Sequence, residues 1–231
     1  MNFRTLTSSP RMPVLFLGHG SPMNAISDTT YSRSWSEMGK KLPAPKVILC
    51  ISAHWFVGSV AVTAMRNPRT IYDFGGFPQE LFEYQYPVVG SPEVAQRIAD
   101  VLPNHSVVMD ESQWGIDHGA WSVLCHVFPD ADVPVVQLSI NANLSAHDHV
   151  EIGRSLAPLL SEDIMVVGSG NIVHNLSIIE WGQVGKGAPW AEEFDAQARQ
   201  ILTGKNPSSI VSLLDHPHAR KAVPTAEHFL P

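Results

Sequence analysis

The chain has 231 residues, 44% hydrophobic and 16% charged, which is ample material for one large globular domain. Its net charge is −7 and its 15 Lys and Arg residues are scattered, so the basic stripe that nucleic acid requires is absent. No apolar run approaches the about 20 residues that span a bilayer, and no membrane partner is expected.

The N-terminus, MNFRTLTSSPR, lacks an apolar h-region and reads as no signal peptide. Met12 and Val14–Leu17 then form a short apolar run that breaks at Gly18-His19-Gly20 and restarts at Ser21-Pro22. Such a run, bounded by Gly and Pro, suits a strand of a parallel sheet covered on both faces. It leaves His19 at the carboxyl end of the strand, the edge where open α/β sheets bind ligands. Thr29–Lys41 reads as a helix with Trp35 and Met38 on one face, stopped by Pro43 and Pro45. Lys46–Ser52 is a second buried strand, ending in Ala53-His54-Trp55. Ser59–Met65 is a further strand by its β-branched content.

Thr70–Gly90 carries Tyr72, Phe74, Phe77, Phe82, Tyr84 and Tyr86 among glycines and prolines that rule out one continuous element. A loop so aromatic is either a satellite core or the wall of a pocket. Ser91-Pro92-Glu93 opens a helix, with Ser as N-cap, Pro in the first turn and an acid at the positive end of the dipole. Ser106–Met109 is a short strand, and Asp117-His118-Gly119 precedes a helix that Pro129 stops. Val133–Ser139 and Ile164–Gly168 are two more buried strands; the second runs into Ser169-Gly170-Asn171 and reaches His174. Between them, Ser145 and Asp148 form a capping box, and Trp190–Leu202 is a last amphipathic helix. Alternating strands and helices predict an α/β fold: a single three-layer domain, residues 1–231, with a central mostly parallel sheet and helices on both faces. Cys50 and Cys125 fall in apolar runs and read as buried free thiols, which points to the reducing cytoplasm.

Four strands therefore run into polar tips, and three of those tips carry a histidine: His19, His54 and His174. His126, His147 and His149 fall within helices, and His216 and His218 in a turn. His118 sits at a helix start, where the dipole lowers an imidazole's pKa. His228, with Glu227 beside it, lies in a Pro-Thr start that predicts a short helix over 224–231. Clustered imidazoles with no thiolate in reach suit Zn, Fe or Cu, and an incomplete shell leaves positions open for catalysis. The chain has no HExxH, CxxC, GxGxxG or nucleophile-elbow motif.

GHGSP at 18–22, SAHW at 52–55, YDFGGFP at 72–78, GIDHGAW at 115–121, GSGNIVHNL at 168–176 and PTAEHFLP at 224–231 occur in that order. Together they resemble the class III extradiol ring-cleavage dioxygenases, and within them the DOPA 4,5-dioxygenase branch. The resemblance implies cleavage of a catechol such as DOPA by O2 to a semialdehyde. It implies one divalent metal ion per chain, Zn2+ as the ion found and Fe2+ as the catalytic one. His19 and His54 match the two metal-binding histidines. His174 matches the active-site histidine, acid–base catalyst in iron members and ligand in zinc-containing ones. His228 matches a further ligand with Glu227 as the alternative, and His118 matches the histidine near the substrate.

Tyr72, Phe74, Phe77 and Asn171 are the expected pocket residues. Such proteins usually continue past Leu230-Pro231 into further sheet, so the resemblance implies a shortened C-terminus. A small aromatic substrate and O2 are the expected partners of a monomer or small homo-oligomer. Two other readings stay open: a zinc hydrolase using the same histidines to activate water, and a non-catalytic metal-binding relative.

Overall fold

A computed structural model describes residues 11–180, 182 and 185–231; the N-terminal segment read above for a leader lies, apart from Arg11, outside them. Six strands form one sheet: β1 (Val14–Gly18), β2 (Val47–Val57), β3 (Ala61–Thr63), β4 (Val108–Asp110), β5 (Val135–Asn141) and β6 (Ile164–Gly170). Their order is β1-β6-β2-β5-β3-β4. The first four in that order are mutually parallel, and β3 pairs antiparallel to β5.

The period-2 alternation of strands sorts the core into two layers. Ile48, Cys50, Val135, Met165 and Val167 face one side, where they meet Trp35 of α1 (Thr30–Gly39) and Trp121 and Leu124 of α4 (His118–Val127). Val47, Leu49, Val136, Leu138, Ile164 and Val166 face the other. There they meet Ala95 and Ile98 of α3 (Pro92–Val101) and Ile152 and Leu156 of α5 (Ala146–Leu156). Both faces are covered at β2, β5 and β6, which explains why their residues are mostly apolar, whereas β1 is an edge strand whose Val14 and Phe16 stay exposed, against the expectation of cover on both faces. Each large aliphatic side chain removed from water here contributes about 1.5–3 kcal/mol. A third cluster, Phe194 and Ala198 of α6 (Pro189–Leu202) with Leu213, Ala219, Ala222 and Phe229, packs the C-terminal quarter together.

Helix starts follow the residues that cap them. Thr29 and Ser145 form capping boxes, and Ser91 and Asp117 each accept a backbone N–H with the side chain. The aromatic stretch contains a short helix, α2 (Gln79–Glu83), and the C-terminal cluster a last one, α7 (Ala219–Ala222).

Two expectations need correction. The second strand does not end at Ser52. It continues to Val57, and its register with β5 shifts between Ile51 and Phe56, so that His54 lies in an irregular stretch inside the strand. The expected helix over 224–231 is instead a turn, in which Phe229 and Leu230 both donate to the Ala226 carbonyl. That turn is pinned along β6 by Asn171 N–H donating to the His228 carbonyl (2.7 Å). Among the described residues, no helix is long and apolar enough to cross a membrane.

Candidate metal centre

β1 delivers His19 to the carboxyl edge of the sheet, and Gly20 (φ +60°) turns the chain away behind it. Asn24 donates to the His19 carbonyl at 3.1 Å, which holds the turn. The irregular stretch of β2 delivers His54, and Asp117 at the cap of α4 delivers His118. Beyond β6 the chain carries Asn171 and His174, whose N–H donates to the Ala222 carbonyl (2.8 Å). The last turn lays His228 against the same edge. Gly170 permits this, because a Cβ there would sit 2.2 Å from the His228 carbonyl oxygen.

Five imidazoles thereby face one cavity of about 590 Å3: His19, His54, His118, His174 and His228. His19, His54 and His118 each offer a ring nitrogen within 4.8 Å of the others; His174, Glu227 and His228 form a second such set. The ring centroids of His228 lie 5.2 Å from those of both His19 and His54, so the two sets adjoin. His174 stacks on His228 with centroids 3.4 Å apart.

Hydrogen bonds assign the protons. Ser169 Oγ donates to the Gly119 carbonyl and therefore accepts from His19 Nδ1 at 2.9 Å. The Asp73 carboxylate accepts from His54 Nδ1 at 3.0 Å and from His118 Nδ1 at 2.9 Å. Glu227 accepts from His228 Nδ1 at 3.3 Å and from Thr225 Oγ1 at 2.6 Å. In its neutral form each of these four rings carries its proton on Nδ1 and presents an Nε2 lone pair. His19 Nε2 and His54 Nε2 come within 3.3 Å of each other. Two unprotonated nitrogens aimed at one point repel unless a cation lies between them, so the donor set fits a divalent metal.

Charge in the site follows from burial. Desolvation, then the neighbouring imidazoles, lower the His19 pKa well below its usual value. Desolvation, with His174 and His54 next, brings His228 to about 4, while Glu227 opposes the shift. Desolvation also lowers His174, against the pull of Glu227. For His54 desolvation is outweighed by the hydrogen bond to Asp73 and by Asp117, and its pKa rises. Burial disfavours the Asp73 anion too, yet the two imidazole hydrogen bonds hold that carboxyl well below the ordinary range.

Phe74, Phe77 and Asn171 line the cavity, and Asn171 Oδ1 also accepts from Gly20 N–H at 3.2 Å. Tyr72 is not among the lining residues. Its hydroxyl donates to the Tyr84 carbonyl at 2.6 Å and its ring packs on Trp121, behind Phe74. Glu227 likewise stands behind His228 rather than on the wall. Sequence reasoning passed over Asp73, Ser169 and Asp117. Asp117 is fully buried, capping α4 while accepting from Ser52 Oγ at 2.6 Å and Gln137 Nε2 at 2.7 Å. Asp73 did leave a signal, an acid set between Tyr72 and Phe74 in a loop otherwise built to be buried.

Comparison with known proteins agrees with this chemistry. The family described as the catalytic LigB subunit of aromatic ring-opening dioxygenase matches residues 10–231. A protein of Escherichia coli K12 named 4,5-DOPA dioxygenase extradiol is 48% identical over 98% of this chain and 84% of its own length. One of Beta vulgaris with the same name is 39% identical over 94% of this chain and 82% of its own. The crystal structure of an uncharacterized Escherichia coli K12 protein superposes with a TM-score of 0.83. It is 45% identical and covers 96% of this chain and 86% of that one. These findings do not favour the hydrolase and non-catalytic readings. The chain belongs to the LigB family and is a metal-dependent extradiol dioxygenase that opens aromatic rings.

Proposed function

We propose that this site cleaves the ring of DOPA, or a catechol closely like it, at the 4,5 position with O2. The observation that carries the reading is the convergence of His19 Nε2 and His54 Nε2, 3.3 Å apart, in a cavity that Phe74 and Phe77 wall. His19, His54 and His228 hold the metal, with Glu227 fixing the ring of His228 rather than ligating. A divalent ion held there would supply a Lewis acid that the two catechol oxygens could chelate and that would lower the hydroxyl pKa. Fe2+ is the working ion. Zn2+ is the one expected after aerobic purification, because it does not oxidise and imidazoles bind it strongly.

His174 serves as the acid–base group. Its ring makes no hydrogen bond to protein among the described residues, and its lowered pKa keeps it neutral and able to take the second hydroxyl proton. The same imidazole returns a proton to the ring-opened product, the semialdehyde. His118 accepts a hydrogen bond from the substrate through Nε2, since Asp73 occupies its Nδ1 proton. Phe74 and Phe77 wall the substrate ring on one side of the cavity. Lys186, the one lysine or arginine among the described lining residues, pairs with the substrate carboxylate.

The test is anaerobic reconstitution with Fe2+ followed by L-DOPA and air. Oxygen uptake should accompany a yellow semialdehyde, and dopamine, lacking the carboxylate, should turn over with lower kcat/KM. Absence of oxygen uptake with any catechol would overturn the reading.

A further inference from the structure

Asp73 occupies an unusual position. It belongs to neither the sheet nor α4, but to the aromatic loop between β3 and α2. Its Oδ1 accepts from both the backbone N–H (3.0 Å) and Nδ1 (2.9 Å) of His118, and its Oδ2 accepts from His54 Nδ1 at 3.0 Å. The two imidazoles it joins lie with centroids 3.9 Å apart. Phe74, the next residue, sets its ring edge-on to His118 at 5.3 Å. One carboxylate thus touches a ring that faces the metal, a ring that faces the substrate, and the loop that walls the cavity.

We infer that Asp73 is a positioning residue that fixes the tautomers of His54 and His118 together, so that metal retention and substrate binding depend on the same carboxylate. This rests on the metal-binding part of the reading above. A carboxylate offers acceptors only. Both imidazoles must therefore keep their protons on Nδ1, and both Nε2 lone pairs are committed to the cavity. No neutral amide can do the same. In Asp73→Asn, an amide oxygen placed toward His118 still serves its two N–H donors, but the NH2 group then meets His54 Nδ1. That contact is favourable only when the His54 proton moves to Nε2, where it blocks the metal. The reverse amide orientation sets NH2 against two donors of His118 and is the worse arrangement. The isosteric change should thus strike the metal side first and leave His118 nearly as it was.

The consequences separate by variant. Asp73→Asn should bind Zn2+ about 10- to 100-fold more weakly, the usual cost of losing an outer partner of a ligand imidazole. At saturating Fe2+ its KM for the catechol should stay near that of the parent. Asp73→Ala frees both rings and should raise KM as well as weaken the metal. Asp73→Glu restores two acceptors and should recover part of the Zn2+ affinity that Asp73→Asn loses. The experiment is Zn2+ titration against a competing chelator for each variant, with circular dichroism to establish folding. It is joined by long-range 1H–15N spectra of the histidine rings in the metal-free parent. At a pH alkaline enough that both rings are neutral, the parent should show His54 and His118 as Nδ1–H tautomers, and Asp73→Asn should show His54 alone switched to Nε2–H.

A folded Asp73→Asn that binds Zn2+ as tightly as the parent overturns the inference. So does a parent in which His54 carries its proton on Nε2, a result available even if no variant folds. Neither measurement involves a catechol, so DOPA turnover can fail while the role of Asp73 stands, and the reverse.

Discussion

At the scale of single residues, the site is a set of imidazoles whose outer nitrogens are spoken for and whose inner nitrogens are not. His174 is the exception, with a ring that stacks on His228 but donates to nothing among the described residues. That freedom is what a group passing a proton to and from substrate needs. Accordingly His174→Gln should retain Zn2+ while losing about 10^2- to 10^4-fold in kcat for ring cleavage, the usual span for a general acid–base group. Equal oxygen uptake by the variant and the parent would remove His174 from that role. A second residue-scale effect lies away from the metal. Burial raises the Cys125 thiol from 9.0 to about 11, so the folded chain keeps the proton that the unfolded chain releases. Its contribution to stability is complete below pH 9 and is lost as pH rises through 11, by about 1.4 kcal/mol per pH unit. Cys125→Ala should flatten that alkaline decline in urea-unfolding free energies. Cys50, which burial also raises, should keep part of the slope.

Among the elements, the decisive contact is between β6 and the turn that ends the chain. The strand presents Gly170 to the His228 carbonyl, and Phe16 of the neighbouring strand β1 closes the other side, 3.2 Å from where a Cβ would stand. Backbone, unlike the end of a flexible side chain, cannot step aside cheaply. Gly170→Ala should therefore lift the turn, displace His228, and cost about 1–3 kcal/mol of stability, as overpacking does. Weakened Zn2+ binding together with a lowered Tm would agree with this. A variant with parental affinity would show that His228 is not held by its seat on the strand. The same contact explains why 224–231 is a turn and not the helix its Pro-Thr start suggests. Pairing of Asn171 N–H with the His228 carbonyl and burial of Phe229 outweigh local preference.

For the whole molecule, the metal should act as a staple. The ligand positions proposed above come from the end of β1, from β2 and from the C-terminal turn, which are far apart in the chain and adjacent in space, so an ion bound to all of them binds only the folded form. Occupancy at 100 times the dissociation constant adds about 2.7 kcal/mol. For a chain of this size each kcal/mol moves Tm by about 2–4 °C. Stripping the metal with a chelator should hence lower Tm by about 5–10 °C, and adding Zn2+ back should restore it. An unchanged Tm in calorimetry would mean that the imidazoles hold no ion tightly.

How much of this the sequence alone determined depends on the range of the interaction concerned. The strands were legible because a sheet covered on both faces demands apolar residues at nearly every position, and 47–50, 164–167 and, apart from Gln137, 135–138 supply them. Helix starts were legible because Ser91, Asp117 and Ser145 satisfy N–H groups only three residues away. The histidines at strand ends, and the six motifs around them, pointed to one edge and one chemistry. Which partners those histidines take was not legible. Asp73 meets His118 across 45 residues, and His19 meets Ser169 across 150. Those meetings follow from the order β1-β6-β2-β5, which sets the first strand beside the last, and from a shift of register inside β2 that turns His54 toward the site. Residue type and spacing record what each segment buries locally. Proton placement on an imidazole depends on the one acceptor within about 3 Å of it, and only the packing of distant segments decides which acceptor that is.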